Sequence, residues 1–97
     1  MPQVVKTAQI RATNTTGQTL PEPAARVLAV NVLDPAAANP NTLINYPVVS
    51  AAPAAGQVQF TGRPEAPSST LTFNAALTAN SLVLVDYVPV GQIARYL

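Results

Sequence analysis

Few side chains in this sequence can do acid–base or ligand chemistry. The set is four carboxylates (Glu22, Asp34, Glu65 and Asp86), five cations (Lys6, Arg11, Arg26, Arg63 and Arg95) and three tyrosines (Tyr46, Tyr87 and Tyr96), with no histidine and no cysteine. Lacking histidine, the chain has no group whose ordinary pKa lies near neutrality and lacks the commonest general base. Without either residue type the two commonest zinc ligands are missing, and no disulfide can form.

The acids that remain are dispersed. Glu22 lies between Pro21 and Pro23, Asp34 stands directly before Pro35 and reads as a turn former, and Glu65 shares a loop with Arg63. Asp86 differs from them because it interrupts the apolar run Leu82–Val90. At strand period, Leu82, Leu84, Asp86 and Val88 share one face, and Val83, Val85 and Tyr87 share the other. A carboxylate withdrawn from water needs a partner. The expectation is therefore an edge-facing Asp86, or one paired with Arg26 or Arg11. No spacing favours a carboxylate pair for glycoside hydrolysis. A nucleophile would have only Lys6 as its base, and Lys6 reads as a solvated strand residue. Glycines 17, 56, 62 and 91 form no phosphate-binding loop. This inventory predicts a protein that is not an enzyme and holds no metal or cofactor.

The elements that carry these residues are predicted to be strands. Ten prolines, at positions 2, 21, 23, 35, 40, 47, 53, 64, 67 and 89, leave no stretch with helical periodicity. Between them the sequence alternates or is rich in β-branched residues. Val4–Thr13 alternates and predicts a half-buried strand. Asn14–Gln18 predicts a turn, with Gly17 able to take positive φ, and Leu20-Pro21-Glu22-Pro23 predicts a stiff connection. Arg26–Leu33, apolar on both faces except at Asn31, predicts a central strand. Leu43–Val49 follows as an edge or bulged strand because of Pro47. Gln57–Thr61, Thr70–Asn74 and Leu82–Val90 complete the set, with Val58, Phe60, Leu71 and Phe73 pointing inward. The predicted fold class is all-β: a small antiparallel β-sandwich or barrel of six to seven short strands with no long helix. Residues 1–91 form the single domain, and residues 92–97 form a C-terminal tail or docking arm.

Charged residues make up 9% of the chain and the net charge is +1. About 25% is ordinary for a soluble domain, so this surface has a weak electrostatic defence against association. Much of it is expected to be covered by other chains. The cations are scattered, which argues against nucleic acid. The longest apolar run, Leu82–Val85, is far too short for a spanning helix, and the opening Met-Pro-Gln-Val-Val-Lys does not have the form of a signal peptide. Cytoplasmic synthesis is expected, with neither nucleic acid nor membrane as partner. The segment Gln92–Leu97 follows Gly91, and four of its six residues are apolar or aromatic. Ile93, Arg95, Tyr96 and Leu97 are the candidate partner-binding residues.

The stretch Ser69-Thr70-Leu71-Thr72-Phe73-Asn74-Ala75-Ala76-Leu77-Thr78-Ala79-Asn80-Ser81-Leu82-Val83-Leu84-Val85-Asp86-Tyr87 resembles small β-sandwich modules of tailed-phage virion proteins. These share a Thr-rich strand with Leu and Phe inward, a short turn, and an apolar strand closing on Tyr. The similarity covers the last third of the chain, and Asn80-Ser81 replaces the usual acidic or Gly-Asp turn. Bacterial immunoglobulin-like adhesive modules use similar wording. The resemblance implies a capsid decoration (cement) protein, β-rich and often a homotrimer, bound to the major capsid protein in the phage head. Its alternatives are a tail or head-fibre module and an adhesive or carbohydrate-binding β-sandwich. It assigns no site residue, because such modules act through surfaces.

Overall fold

The computed structural model describes residues 5–36 and 41–90. All seven elements are strands: β1 (Lys6–Arg11), β2 (Gly17–Leu33), β3 (Ile44–Asn45), β4 (Val48–Val49), β5 (Val58–Gln59), β6 (Ser68–Phe73) and β7 (Leu82–Pro89). They form one sheet in the order β1-β7-β2-β6-β5-β4, with β3 paired to β2. Only Tyr46 and Pro47 separate β3 from β4, and the Tyr46 N–H donates to the Val30 carbonyl at 2.9 Å. The pairing path β2-β6-β5-β4 thus returns to β2 through β3, and the sheet curls into a half-barrel. The all-β fold of six to seven strands is as expected, except that β4 and β5 run parallel and make the sheet mixed.

The largest departure is β2. It is one strand of 17 residues, and the proline-bounded stretch expected as a connection lies inside it. Its first part pairs with β6 up to Thr19 and once more at Ala24, where the ladder to β7 begins, and its second part pairs with β7. None of residues 20–23 sits opposite a partner in either ladder. Pro21 and Pro23 therefore forfeit no ladder hydrogen bond, which is the condition under which a strand tolerates proline.

Two further register shifts, between Ala24 and Arg26 and between Val27 and Ala29, each set two steps of β2 against one of β7. The extra residues are Ala25 and Leu28. Such one-residue bulges bend the strand and redirect its side chains. Leu28 is thereby turned outward at 45% exposure, although its strand is central.

Where register is regular, the period-two pattern sorts side chains as expected. Ala8, Val30, Val32, Leu71, Phe73, Val83, Val85 and Tyr87 are buried in one cluster with Val58, Phe60 and Leu77. Tyr46 packs edge-on against Phe73, with ring centroids 5.2 Å apart at 84°.

One end of the sheet is held by two turns with different chemistry, the β1–β2 corner and the turn before β7. Gln18 was expected in a turn, yet it is buried in β2. Its Oε1 accepts from Thr13 N–H, and its Nε2 donates to the Thr13 and Thr15 carbonyls. One side chain thus supplies the hydrogen bonds that the β1–β2 corner lacks.

At the start of β7, Ser81 N–H donates to the Thr78 carbonyl, and Asn80 N–H donates to the Ala12 carbonyl. Asn80 takes φ 69°, the left-handed region. Gly17 does not use its freedom to do so; among the described residues the glycine with positive φ is Gly56, at 78°. Asparagine tolerates this conformation and β-branched residues do not. Asn80→Gly is therefore expected to keep stability within about 0.5 kcal/mol, and Asn80→Val to lose about 1–3 kcal/mol. Urea midpoints of the two variants check this, and equal losses would place the strain elsewhere.

Candidate functional site

Three ionisable side chains, Lys6, Glu22 and Tyr87, are drawn together at one node built from both ends of the sequence. Lys6 on β1 and Tyr87 on β7 are cross-strand partners. Glu22, in the unpaired stretch of β2, reaches both. Tyr87 Oη–H donates to Glu22 Oε2 at 2.6 Å, and Lys6 Nζ donates to the same oxygen at 3.1 Å. Lys6 is thus an ion-pair partner, although half of its side chain remains exposed.

The Tyr87 hydroxyl, and then Lys6, hold the Glu22 carboxyl below its ordinary value. Burial, and then Glu22, push Tyr87 up to about 12. The signs give opposite limbs. A depressed carboxyl stabilises the fold above its unfolded value of about 4.5, and that contribution is lost as pH falls through the folded value. A raised phenol stabilises below its unfolded value of 10.0, and the contribution is lost as pH rises toward 12. Tyr87→Phe should flatten the alkaline limb and Glu22→Gln the acid limb, in urea midpoints measured across pH. Limbs that match the parent protein's would show that the contact does not persist in solution. The node ties β1, β2 and β7 together through one carboxylate oxygen.

Asp86 is not paired with Arg26 or Arg11. It accepts from Thr7 Oγ1 at 2.6 Å, directly across the β1–β7 ladder. The register explains the choice. Arg26 sits opposite Val88 and Arg11 opposite Leu82, one and two residue pairs too far along respectively, on the pleat's count. Arg11 instead donates to the Asn80 carbonyl at 3.3 Å. Glu65 pairs with Arg63 at 3.4 Å in an exposed turn, where such a pair contributes little.

Two surfaces remain as candidates for recognition. The first is the outer face of the β1–β7–β2 sheet. Cross-strand partners share a face, so the register defines rows: Arg11–Leu82–Leu33, Gln9–Leu84–Asn31 and Thr7–Asp86–Ala29. Leu33, Leu82 and Leu84 are half-buried, and Leu43, one residue before β3, is 48% exposed. The result is an apolar stripe with Arg11 at one end and Asp86 below it.

The second is a pocket of about 220 Å³ at the end of the sheet where β2 leaves and β7 enters. Val32, Asp34, Tyr46, Ala76, Leu77 and Thr78 are among its walls. Asp34 is fixed there by two hydrogen bonds: Oδ1 accepts from Ala36 N–H at 2.8 Å and Oδ2 from Thr78 Oγ1 at 3.3 Å. The sequence signalled Asp34 only as a strand stop. Its pocket requires the 74–78 loop, some forty positions away, and no local pattern announces that.

The candidate partner-binding residues Ile93, Arg95, Tyr96 and Leu97 lie outside the described residues, as does the whole of the 92–97 arm. The fold defines a small all-β domain built on one curled, mixed sheet. No family model, no curated protein and no solved structure matches the chain.

Proposed function

We propose that this chain is a virion structural protein: a decoration, or cement, protein that stabilises a phage head by binding between major capsid protein subunits. On this reading it acts as a homo-oligomer, a trimer in the favoured form, and is made in the host cytoplasm before joining the particle. It does no chemistry and needs no cofactor.

The observation that carries this reading is the outer β1–β7–β2 face. Leu33, Leu82 and Leu84 lie in adjacent rows there, on a chain with 9% charged residues. Contiguous apolar surface of this kind marks an interaction site. The virion resemblance adds independent support, since its span covers β6, the turn and β7, the strand that supplies the stripe. The function follows by linkage. A protein that binds only the assembled shell stabilises it by an amount that grows with occupancy and affinity, and repeated copies on a lattice add avidity.

The test mixes purified protein with expanded phage shells and follows co-sedimentation and shell melting. The parent chain should bind and raise the melting temperature. Leu84→Lys, on the outer face, should weaken binding at least tenfold while the β-sheet circular dichroism is retained. A monodisperse monomer without affinity for shells would overturn the reading.

A further inference from the structure

We propose that the Asp34 pocket seats the Arg95 side chain of a second copy of this chain, so that copies join head to tail; this rests on the homo-oligomer part of the proposed function. The pocket has the chemistry for an arginine. Val32, Ala76 and Leu77 offer an apolar wall for the aliphatic stem, Asp34 offers the charge, and Tyr46 offers a ring of the kind on which a guanidinium stacks. A cavity of about 150 Å³ holds one benzene ring, so about 220 Å³ is enough for one long side chain.

The carboxylate is ready for a cation. An ionised carboxylate has about four acceptor positions, and the bonds from Ala36 N–H and Thr78 Oγ1 use two. Among the described residues the ion pairs are Lys6–Glu22 and Arg63–Glu65, so Asp34 has no cationic partner there. A half-buried carboxylate in this state gains from a guanidinium more than an exposed one would.

Topology selects a second copy over the chain's own arm. Asp34 follows Leu33, which pairs with Leu82 at the start of β7, whereas β7 ends at Pro89 opposite Ala24. Those ends are about 23 Å apart at strand rise. Six residues from Pro89 to Arg95 span at most about 20 Å, so the chain's own Arg95 would reach back only by reversing direction and then running fully stretched. A neighbouring copy faces no such limit. The pocket and the end of β7 lie at opposite ends of one sheet, so a contact from the segment that follows β7 is heterologous, and heterologous contacts generate rings when the rotation closes.

Sedimentation velocity and native mass spectrometry on the full chain test this with Asp34→Asn, Arg95→Gln and the double variant. Asp34→Asn keeps an oxygen for Ala36 N–H and so spares the turn; retained β-sheet circular dichroism checks the fold. Each single variant should weaken self-association at least tenfold, and the double variant should be no weaker than either single one. Self-association unchanged in Asp34→Asn, additive losses in the double variant, or coupling of the two residues within a monomer would each overturn the proposal. Shell binding is measured separately. Assembly that depends on Asp34 and Arg95 without shell binding would sink the cement reading and leave this inference standing. Shell binding by a trimer indifferent to both residues would do the reverse.

Discussion

Phe73→Ala is expected to lower the unfolding free energy by about 3–5 kcal/mol, the range for deleting a buried aromatic ring from a core. Phe73 is 2% exposed and closes the inner face of β6. It sits opposite Val58 of β5, and its N–H donates to the Thr16 carbonyl at 2.7 Å. Its ring also meets Tyr46 edge-on, a contact that adds about 0.5–1.5 kcal/mol beyond area burial. The loss is severe for a domain whose total stability is about 5–15 kcal/mol. The ring joins three parts of the half-barrel: β6 itself, the short β5, and the segment between β3 and β4. Strands of two residues contribute few ladder hydrogen bonds, so that side of the sheet depends on side-chain packing. Urea denaturation should show a lower midpoint with little change of slope. Phe73→Leu, which keeps most of the apolar volume, should lose much less. A loss below about 1 kcal/mol for Phe73→Ala would place the ring outside the cooperative core.

The second large effect is expected at Gly62. A Cβ built there would lie 2.5 Å from Phe60 Cζ and 2.8 Å from the Ser68 backbone nitrogen. Phe60 is buried against the core, and Ser68 opens β6, so neither neighbour is a free side-chain end that can swing away. Gly62→Ala should therefore cost about 1–3 kcal/mol, as overpacking does. Gly17 is the internal control. It opens β2 without positive φ, and a Cβ there meets nothing within 4 Å. Gly17→Ala should be neutral or stabilise by about 0.4–1 kcal/mol, because alanine narrows the unfolded ensemble. Midpoints of both variants, measured side by side, test the contrast. If Gly62→Ala proves as mild as Gly17→Ala, the close approach of Phe60 and Ser68 is not kept in solution.

Sequence reading was accurate where the period-two pattern and the ladder agree. Val83, Val85 and Tyr87 on β7, and Leu71 and Phe73 on β6, are buried as their alternation requires. It failed where the register shifts. Leu28 reads as a core residue of a central strand and is exposed, because a bulge inserts it. Pro21 and Pro23 read as part of a stiff connection, yet β2 runs through them, because the gap between its two ladders leaves those positions without hydrogen-bond demands. Proline's local signal is a missing donor. Whether a donor is needed depends on the neighbouring strands.

The same division applies to the inventory of reactive side chains. The sequence alone determined that histidine and cysteine are absent, that charge is sparse, and that proline spacing leaves strands as the elements available to the chain. Composition and period are local properties, so they survive without a fold. Tertiary structure decided the partners: Glu22 joins Lys6 and Tyr87, Asp86 takes Thr7, and Asp34 meets Thr78 at a pocket. Each pairing spans between 16 and 79 positions. Register, bulges and the closing of β3 onto β2 set those distances, and these arise from packing between elements that no single segment encodes.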